Sequence, residues 1–231
     1  MGQKLLLPFR RSTIICGYKT ERYRSHWGYP HYGIDISTYQ GTIQADHTIR
    51  ASGDGLVVAV GNDGSLGWGI AIRYLKCESR DGQIKNLIGR YMHINGSTVL
   101  VKKGDEVSAG QAIAHEGKEG TSDYHLHLEF DTDTTWPVYT PQVSSANHNF
   151  WKKGTDSTVN PSLWLWQNDQ AILDQYNFLD RSWITAGVDD NIPFVPVDNG
   201  ALIAELRSQV EFYKSRYEAL KTGLQDLLAR Y

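Results

Sequence analysis

The sequence predicts a mainly β chain: an antiparallel, sandwich-like β-sheet domain followed by a C-terminal coiled-coil helix. Three observations carry this. From Gly28 to about Asp133, short apolar or alternating runs are separated by Gly, Asn and Asp. Between Thr134 and Asn199 that texture gives way to five of the seven prolines and to Trp136, Trp151, Trp164, Trp166 and Trp183. From Ile203 onward, apolar residues recur at alternating steps of three and four.

The strands are expected in "GDGLVVAVG" (Gly53 to Gly61), "GWGIAIRYL" (Gly67 to Leu75), "LIGRYMHI" (Leu87 to Ile94) and "DYHLHLEFD" (Asp123 to Asp131). "VKKGDEVSAGQAIAHEG" (Val101 to Gly117) fits two more short strands, with turns at Gly104-Asp105 and Ala109-Gly110. Within the Pro- and Trp-rich stretch, "SLWLWQNDQAILDQY" is the best helix candidate. "DDNIPFVPVDNG" (Asp189 to Gly200) reads as a linker, because Pro193 and Pro196 prevent a helix there. Ile203, Leu206, Val210, Tyr213, Tyr217, Leu220, Leu224, Leu227 and Tyr231 then occupy the a and d positions of a heptad. Such a narrow seam favours a coiled coil over docking on the domain, holding a homo-oligomer or a partner helix through residues 203–231. The expected organisation is therefore a lead-in segment (1–27), the β-sheet domain (28–165), an irregular or helical extension with linker (166–199) and the coiled-coil helix (200–231).

With 23 Lys and Arg against 26 Asp and Glu the net charge is −3, which gives no global electrostatic case for nucleic acid or an anionic membrane. No stretch approaches the length of a membrane span. The opening "MGQKLLLPFRR" lacks the longer apolar run and cleavage site of a signal peptide, so the product is expected to be made in the cytoplasm. Cys16 and Cys77 are too few for a four-thiolate zinc site or a disulfide framework, though they could pair with each other.

The chemistry concentrates in three places. "HYGID" sets His31 and Asp35 four residues apart, with Gly33 between them expected to relax the backbone so that both side chains converge. An imidazole and a carboxylate are both good zinc donors, and His127 of "DYHLHLEFD" can be the third. Three protein donors leave the fourth position open, the arrangement used for catalysis. Zinc in such a site acidifies a bound water and polarises a carbonyl, and histidines are suited to move the protons. His125, on the same strand face as His127 and Glu129, and His93 of "RYMHI" are the candidates for that role. His26 is a weak candidate for a cap on the metal, and His47, His115 and His148 read as ordinary solvated residues. Tyr91, Trp68 and Tyr124 are candidate cleft walls.

Taken in order, "HYGIDIS", "RYMHI" and "YHLHLEF" resemble the H-x-G-x-D, Y-x-H and H-L-H-x-E motifs of the lysostaphin-type (LytM-like) zinc peptidases, which cut peptide bridges in bacterial peptidoglycan. The resemblance runs from about Pro30 to Asp131. It implies that His31, Asp35 and His127 bind one zinc ion and that His93 and His125 assist the water and the tetrahedral intermediate. It also implies a zinc metallo-endopeptidase acting on the cell wall; such a domain without a signal peptide and with an oligomerising helix would fit a phage or prophage lysin or tail component. The alternative is a non-catalytic wall-binding or activator module of the same fold, against which the intact ligand set counts. Family members commonly carry Pro where this chain has Tyr124, which bears on substrate preference. "VKKGDEVSAGQAI" shares the rhythm of lipoyl and biotinyl carriers but lacks the lysine motif at a hairpin tip.

Overall fold

The structure, a computed structural model, describes residues 2–38, 46–62, 66–134, 156–168, 171–173, 181–183, 208–218 and 220–221. Two compact units are present, Met1–Val195 and Pro196–Tyr231.

The first unit opens with β1 (Leu5–Leu6) and β2 (Arg11–Cys16), a short helix α1 (Glu21–Trp27) and β3 (Ile34–Ser37). Thr20 caps α1 by accepting from the Tyr23 amide, and the helix stops at Gly28. β4 (Thr48–Arg50), β5 (Gly55–Asn62), β6 (Trp68–Glu78) and β7 (Ile84–Ile94) follow, then β8 (Glu106–Val107), β9 (Ala112–His115) and β10 (Leu126–Asp131). β5 to β10 coincide with the glycine-punctuated runs, whereas β4 lies outside them. Gly104 and Gly110, at the two predicted turns, have φ of 95° and 79°, which side chains other than glycine resist. β11 (Thr158–Val159), β12 (Leu165–Trp166) and β13 (Ile172–Leu173) complete the described strands.

Among the described residues one large sheet runs β13-β2-β3-β10-β7-β6-β5-β8, with β11 also paired to β10. All its pairings are antiparallel except β13 with β2. Two small sheets, β1-β12 and β4-β9, supply Leu5, Leu165, Ile49 and Ile113 to the same apolar core as the large sheet. That second layer gives the sandwich-like character. Alternation along β10 sends Leu126, Leu128 and Phe130 into this core, all fully buried, and leaves His127 and Glu129 on the opposite face.

Two readings change. Residues 2–27, expected as a lead-in, contribute β1 and β2 to the sheets and α1 to the site below. "SLWLWQNDQAILDQY" is not a helix over its described residues: a 3-10 turn at Pro161–Leu163 leads into β12, and Asn168 bridges Ala171. Its alternating Leu and Trp find better burial beside β1, where Leu165 pairs with Leu5, than one helical face would give.

In the second unit residues 208–218 are helical, and Val210, Tyr213, Tyr217 and Leu220 are more than half exposed. The remaining positions of the heptad seam, the Asp189–Gly200 linker and His148 lie outside the described residues. No described helix is long and apolar enough to cross a membrane.

Candidate metal centre

β3 and β10 lie side by side with Asp35 opposite His127, so both side chains share the face away from the core. His31, four residues before Asp35, reaches the same point. Its Nε2 is 3.1 Å from Asp35 Oδ1 and 3.0 Å from His127 Nδ1, and His127 Nδ1 is 3.0 Å from Asp35 Oδ1. The three donor atoms form a nearly equilateral triangle. A tetrahedral zinc ion with bonds of about 2.0 to 2.2 Å sets its donors roughly 3.3 to 3.6 Å apart, so the set fits with adjustments of a few tenths of an ångström.

The hydrogen bonding around the donors suits this role. His31 Nδ1 lies 2.7 Å from the Gly17 carbonyl, which can only accept, so Nδ1 carries the proton and Nε2 keeps its lone pair. His127 turns its other nitrogen, Nε2, toward Glu129 Oε2 at 3.8 Å. Glu129 is not on a solvated strand face, as alternation alone suggested. It is buried and ion-paired with Arg90, whose guanidinium also donates to Asp131 at 3.2 Å. This Arg90–Glu129–His127 relay orients the imidazole from behind, the usual support for a ligating histidine.

Gly33 has a reason other than the predicted one. Its φ is not positive, so no special backbone conformation is needed. A Cβ there would instead lie 2.6 Å from His127 Nε2 and 2.4 Å from the Leu128 carbonyl oxygen. Glycine lets the chain between His31 and Asp35 pass under the third donor.

His93 arrives by a bulge. Along β7 Trp68 pairs with Ile94 and Gly69 with Met92, so His93 is the extra residue, and its φ is 64°. Regular alternation would have put His93 on the face of buried Tyr91. The left-handed backbone swings it to within 4.9 Å of the His125 ring and 6.1 Å of the His127 ring, centre to centre. Its Nδ1 donates to the Glu119 and Leu66 carbonyls at 2.9 and 3.1 Å. His125 Nδ1 donates likewise to the Asp123 carbonyl at 3.0 Å, and its Nε2 stands 3.7 Å from Asp35 Oδ1. Both imidazoles are thus held in the tautomer that leaves Nε2 as a proton acceptor.

Charge follows from this crowding. Burial opposes the Asp35 carboxylate, but the neighbouring His31 and His125 and the hydrogen bond from His127 hold its carboxyl well below the ordinary range. Burial likewise opposes a charged His127, yet hydrogen bonds to Asp35 and Glu129 raise it to about 9. His93 has no carboxylate close enough to compensate. Burial, then the His127 and His125 imidazoles, push it down to about 4.

A cleft of about 580 Å³ opens over these residues. One wall is aromatic: Tyr23 of α1 stacks on His31 at 4.3 Å, Trp183 meets Tyr23 edge-on at 6.3 Å, and Trp27 and Tyr29 continue the wall. Sequence reasoning did not place Tyr23 or Trp183 there, since nothing local ties α1 or residues 181–183 to the HYGID segment. Of the aromatic residues expected as walls, Tyr91 is instead core, fully buried and donating to Ser52 Oγ at 2.9 Å. Tyr124 is exposed at the rim, and Trp68 packs against Gly96. His26 is exposed on α1 beside Trp183 and does not line the cleft. His47 accepts or donates at Thr38 Oγ1, 2.6 Å away, and His115 is exposed on β9. Neither cysteine is in a disulfide. Cys16 lies beside His31 and Asp35, a neighbour the sequence did not announce.

The model of peptidase family M23 matches residues 29–138, the span that holds all five candidate residues. Residues 29–138 are thus similar to peptidase family M23. Over 101 residues the chain is 35% identical to the peptidoglycan DD-endopeptidase ShyA of Vibrio cholerae, covering 43% of this chain and 20% of that protein. The chain thus matches about a fifth of the length of that curated relative. Among solved structures, a zinc-containing peptidase from Vibrio cholerae is 26% identical, covering 56% of this chain and 37% of that chain, with a TM-score of 0.41. The catalytic domain of lysostaphin from Staphylococcus simulans is 25% identical, covering 53% of this chain and 80% of that chain, with a TM-score of 0.37. The lysostaphin-type resemblance read from three short motifs and the M23 match agree.

Proposed function

We propose that the chain is a zinc-dependent endopeptidase that hydrolyses peptide cross-links of bacterial peptidoglycan. The observation that supports this most is the triangle of His31 Nε2, Asp35 Oδ1 and His127 Nδ1, with edges of 3.0 to 3.1 Å, beside two further imidazoles in a span similar to peptidase family M23. The substrate class is carried over from ShyA, a peptidoglycan DD-endopeptidase.

In this reading His31, Asp35 and His127 hold the ion, and a bound zinc supplies Lewis acidity toward a carbonyl oxygen and an acidified water. His93, kept neutral by its surroundings, accepts a hydrogen bond at Nε2 and orients the attacking water. His125 accepts the water's proton at Nε2, where the Asp35 carboxylate 3.7 Å away stabilises the resulting imidazolium, and returns it to the departing amine. The Tyr23, Trp27 and Trp183 wall confines the substrate and limits water access.

The test is zinc per purified chain together with new amino ends in digested peptidoglycan. Stoichiometric zinc with no cleavage of any wall type overturns the enzymatic reading in favour of the non-catalytic module. His127→Ala should lose the metal, whereas His125→Ala should keep most of it and lose activity. Loss of zinc in both overturns the division of roles.

We infer further that residues 203–231 assemble the chain with copies of itself or with a partner helix. Exposed Val210, Tyr213, Tyr217 and Leu220, at heptad spacing, support this. A lytic domain joined to such a helix suits a phage or prophage lysin or tail component acting on the cell wall. A chain ending before Ala201 should have a lower mass in solution than the full chain, and an unchanged number of copies per particle overturns the assembly role.

A further inference from the structure

Asp35 has a second neighbour. On the side away from β10 lies β2, and there the register shifts: Ile14 pairs with Ile36, but Cys16, not Ile15, pairs with Asp35. In an undisturbed antiparallel pair Ile15 would face Asp35, and Cys16 would point with Ile14 into the core. The bulge inserts Ile15 as an extra residue and re-aims Cys16 onto the Asp35 face, a known use of bulges beside functional sites. As a result Cys16 Sγ, a ring nitrogen of His31 and a carboxylate oxygen of Asp35 all lie within 4.8 Å of one another.

The same stretch of backbone is tied to a ligand. The residue after Cys16 is Gly17, whose carbonyl accepts from His31 Nδ1 at 2.7 Å, so the end of β2 and the His31 ring move together. Cys16 is only 5% exposed, and its Sγ, beside His31 and Asp35, rests 3.8 Å from the Gly17 carbonyl oxygen, a long contact that a bond to a metal would replace. A thiolate binds zinc at about 2.3 Å, which places sulfur roughly 3.5 Å from the other donors. With present separations of at most 4.8 Å, reaching that geometry takes a shift of no more than about 1.3 Å, within what one χ1 rotation of a cysteine supplies.

We propose that Cys16 is a metal ligand, its thiolate joining His31 and Asp35 on the ion. On binding, the sulfur–metal bond replaces the S–H bond and the thiol proton leaves to solvent. This rests on the zinc reading above and deepens it. With Cys16 engaged the ion gains a fourth protein donor and the centre is closed, as structural zinc sites are. Hydrolysis then requires the sulfur to leave, so β2 sets how readily the site opens.

The experiment uses the full chain loaded with cobalt(II) in place of zinc. Wild-type protein should show a near-ultraviolet thiolate-to-cobalt charge-transfer band alongside the visible ligand-field bands. The chain has two cysteines, and Cys77 is fully buried on β6, so the band should survive Cys77→Ser. Cys16→Ser should abolish the band, keep the ligand-field bands, and weaken cobalt binding about tenfold or more in a chelator competition, since a soft donor is lost. Because Cys77→Ser alone identifies the sulfur, the outcome does not depend on Cys16→Ser folding. Stoichiometric cobalt with ligand-field bands and no charge-transfer band overturns the Cys16 assignment and leaves the three-donor site standing. Wild-type protein that takes up no cobalt at all overturns the metal reading itself.

Discussion

Gly33→Ala is the smallest change that should dismantle the site without touching a donor atom. The added carbon would sit 2.6 Å from His127 Nε2, 3.0 Å from its Cε1 and 2.4 Å from the Leu128 carbonyl oxygen, where ordinary contact begins at 3.4 Å. The imidazole has to retreat by about 0.8 Å and the β10 backbone by about 1 Å, or β3 must lift away from both. Overpacking of this kind costs about 1–3 kcal/mol. The same displacement stretches a donor triangle whose edges are 3.0–3.1 Å, so zinc affinity should fall by at least the tenfold to hundredfold that disturbing a ligand's orientation costs. The assay pairs urea denaturation of the metal-free protein with a competition for zinc against a chromophoric chelator. Gly61→Ala is the control, since a Cβ there meets nothing within 4 Å. A Gly33→Ala protein with the wild-type midpoint and wild-type zinc affinity refutes the close-approach argument.

Three other outcomes are expected. Glu129→Ala leaves the Arg90 guanidinium with Asp131 alone in a buried site. It should destabilise the fold by about 3–5 kcal/mol and weaken zinc about tenfold to a hundredfold, and unchanged zinc affinity in a chelator competition removes the relay. His93→Ala and His93→Gly both delete the imidazole, but only alanine keeps a Cβ at φ 64°. The glycine variant should be more stable by about 1 kcal/mol in urea, and equal midpoints would mean the left-handed backbone stores no strain. The metal-free protein should be most stable near pH 6.5. Below it, unfolded His93 takes up a proton that the folded residue refuses until about pH 4, so stability falls on acidification. Above it, stability gained from protonated His127 is lost as pH rises through about 9; each limb is worth roughly 3 kcal/mol. Saturating zinc should remove the alkaline limb, and a thermal-melt profile flat from pH 4 to 9 contradicts both shifts.

The strands and the convergence of His31, Asp35 and His127 were legible because their signals are local. Alternation in "LHLEFD", glycine at the two turns after Val101 and the order of three histidine motifs each sit within a few residues. What escaped depends on partners far along the chain. β1 and β12 are each two residues long and pair across the whole domain, so "SLWLWQNDQAILDQY" looked helical in isolation. Two bulges matter most. One turns His93 toward the donors and the other turns Cys16 toward Asp35, and a bulge changes which face a residue serves without leaving a pattern in the sequence. Glu129 shows the converse: alternation put it on the correct face, but only the fold reveals that Arg90 waits there in a buried pocket.

The pairing of β3 with β10 consists of three residue pairs, Ile36 with Leu126, Asp35 with His127 and Ile34 with Leu128. Through that short contact the strands β13, β2 and β3 join the other half of the sheet. An ion held by Asp35 and His127, as proposed above, would span the middle pair and work as a rivet between two flaps of fabric. A slip of one residue would turn His127 into the core and tear the rivet out, so in the proposed site the ion would guard strand alignment as well as serve the chemistry. Removing it should therefore loosen the sheet first along this line, with the amides of Ile34–Ile36 and Leu126–Leu128 exchanging with solvent before those of β6 and β7.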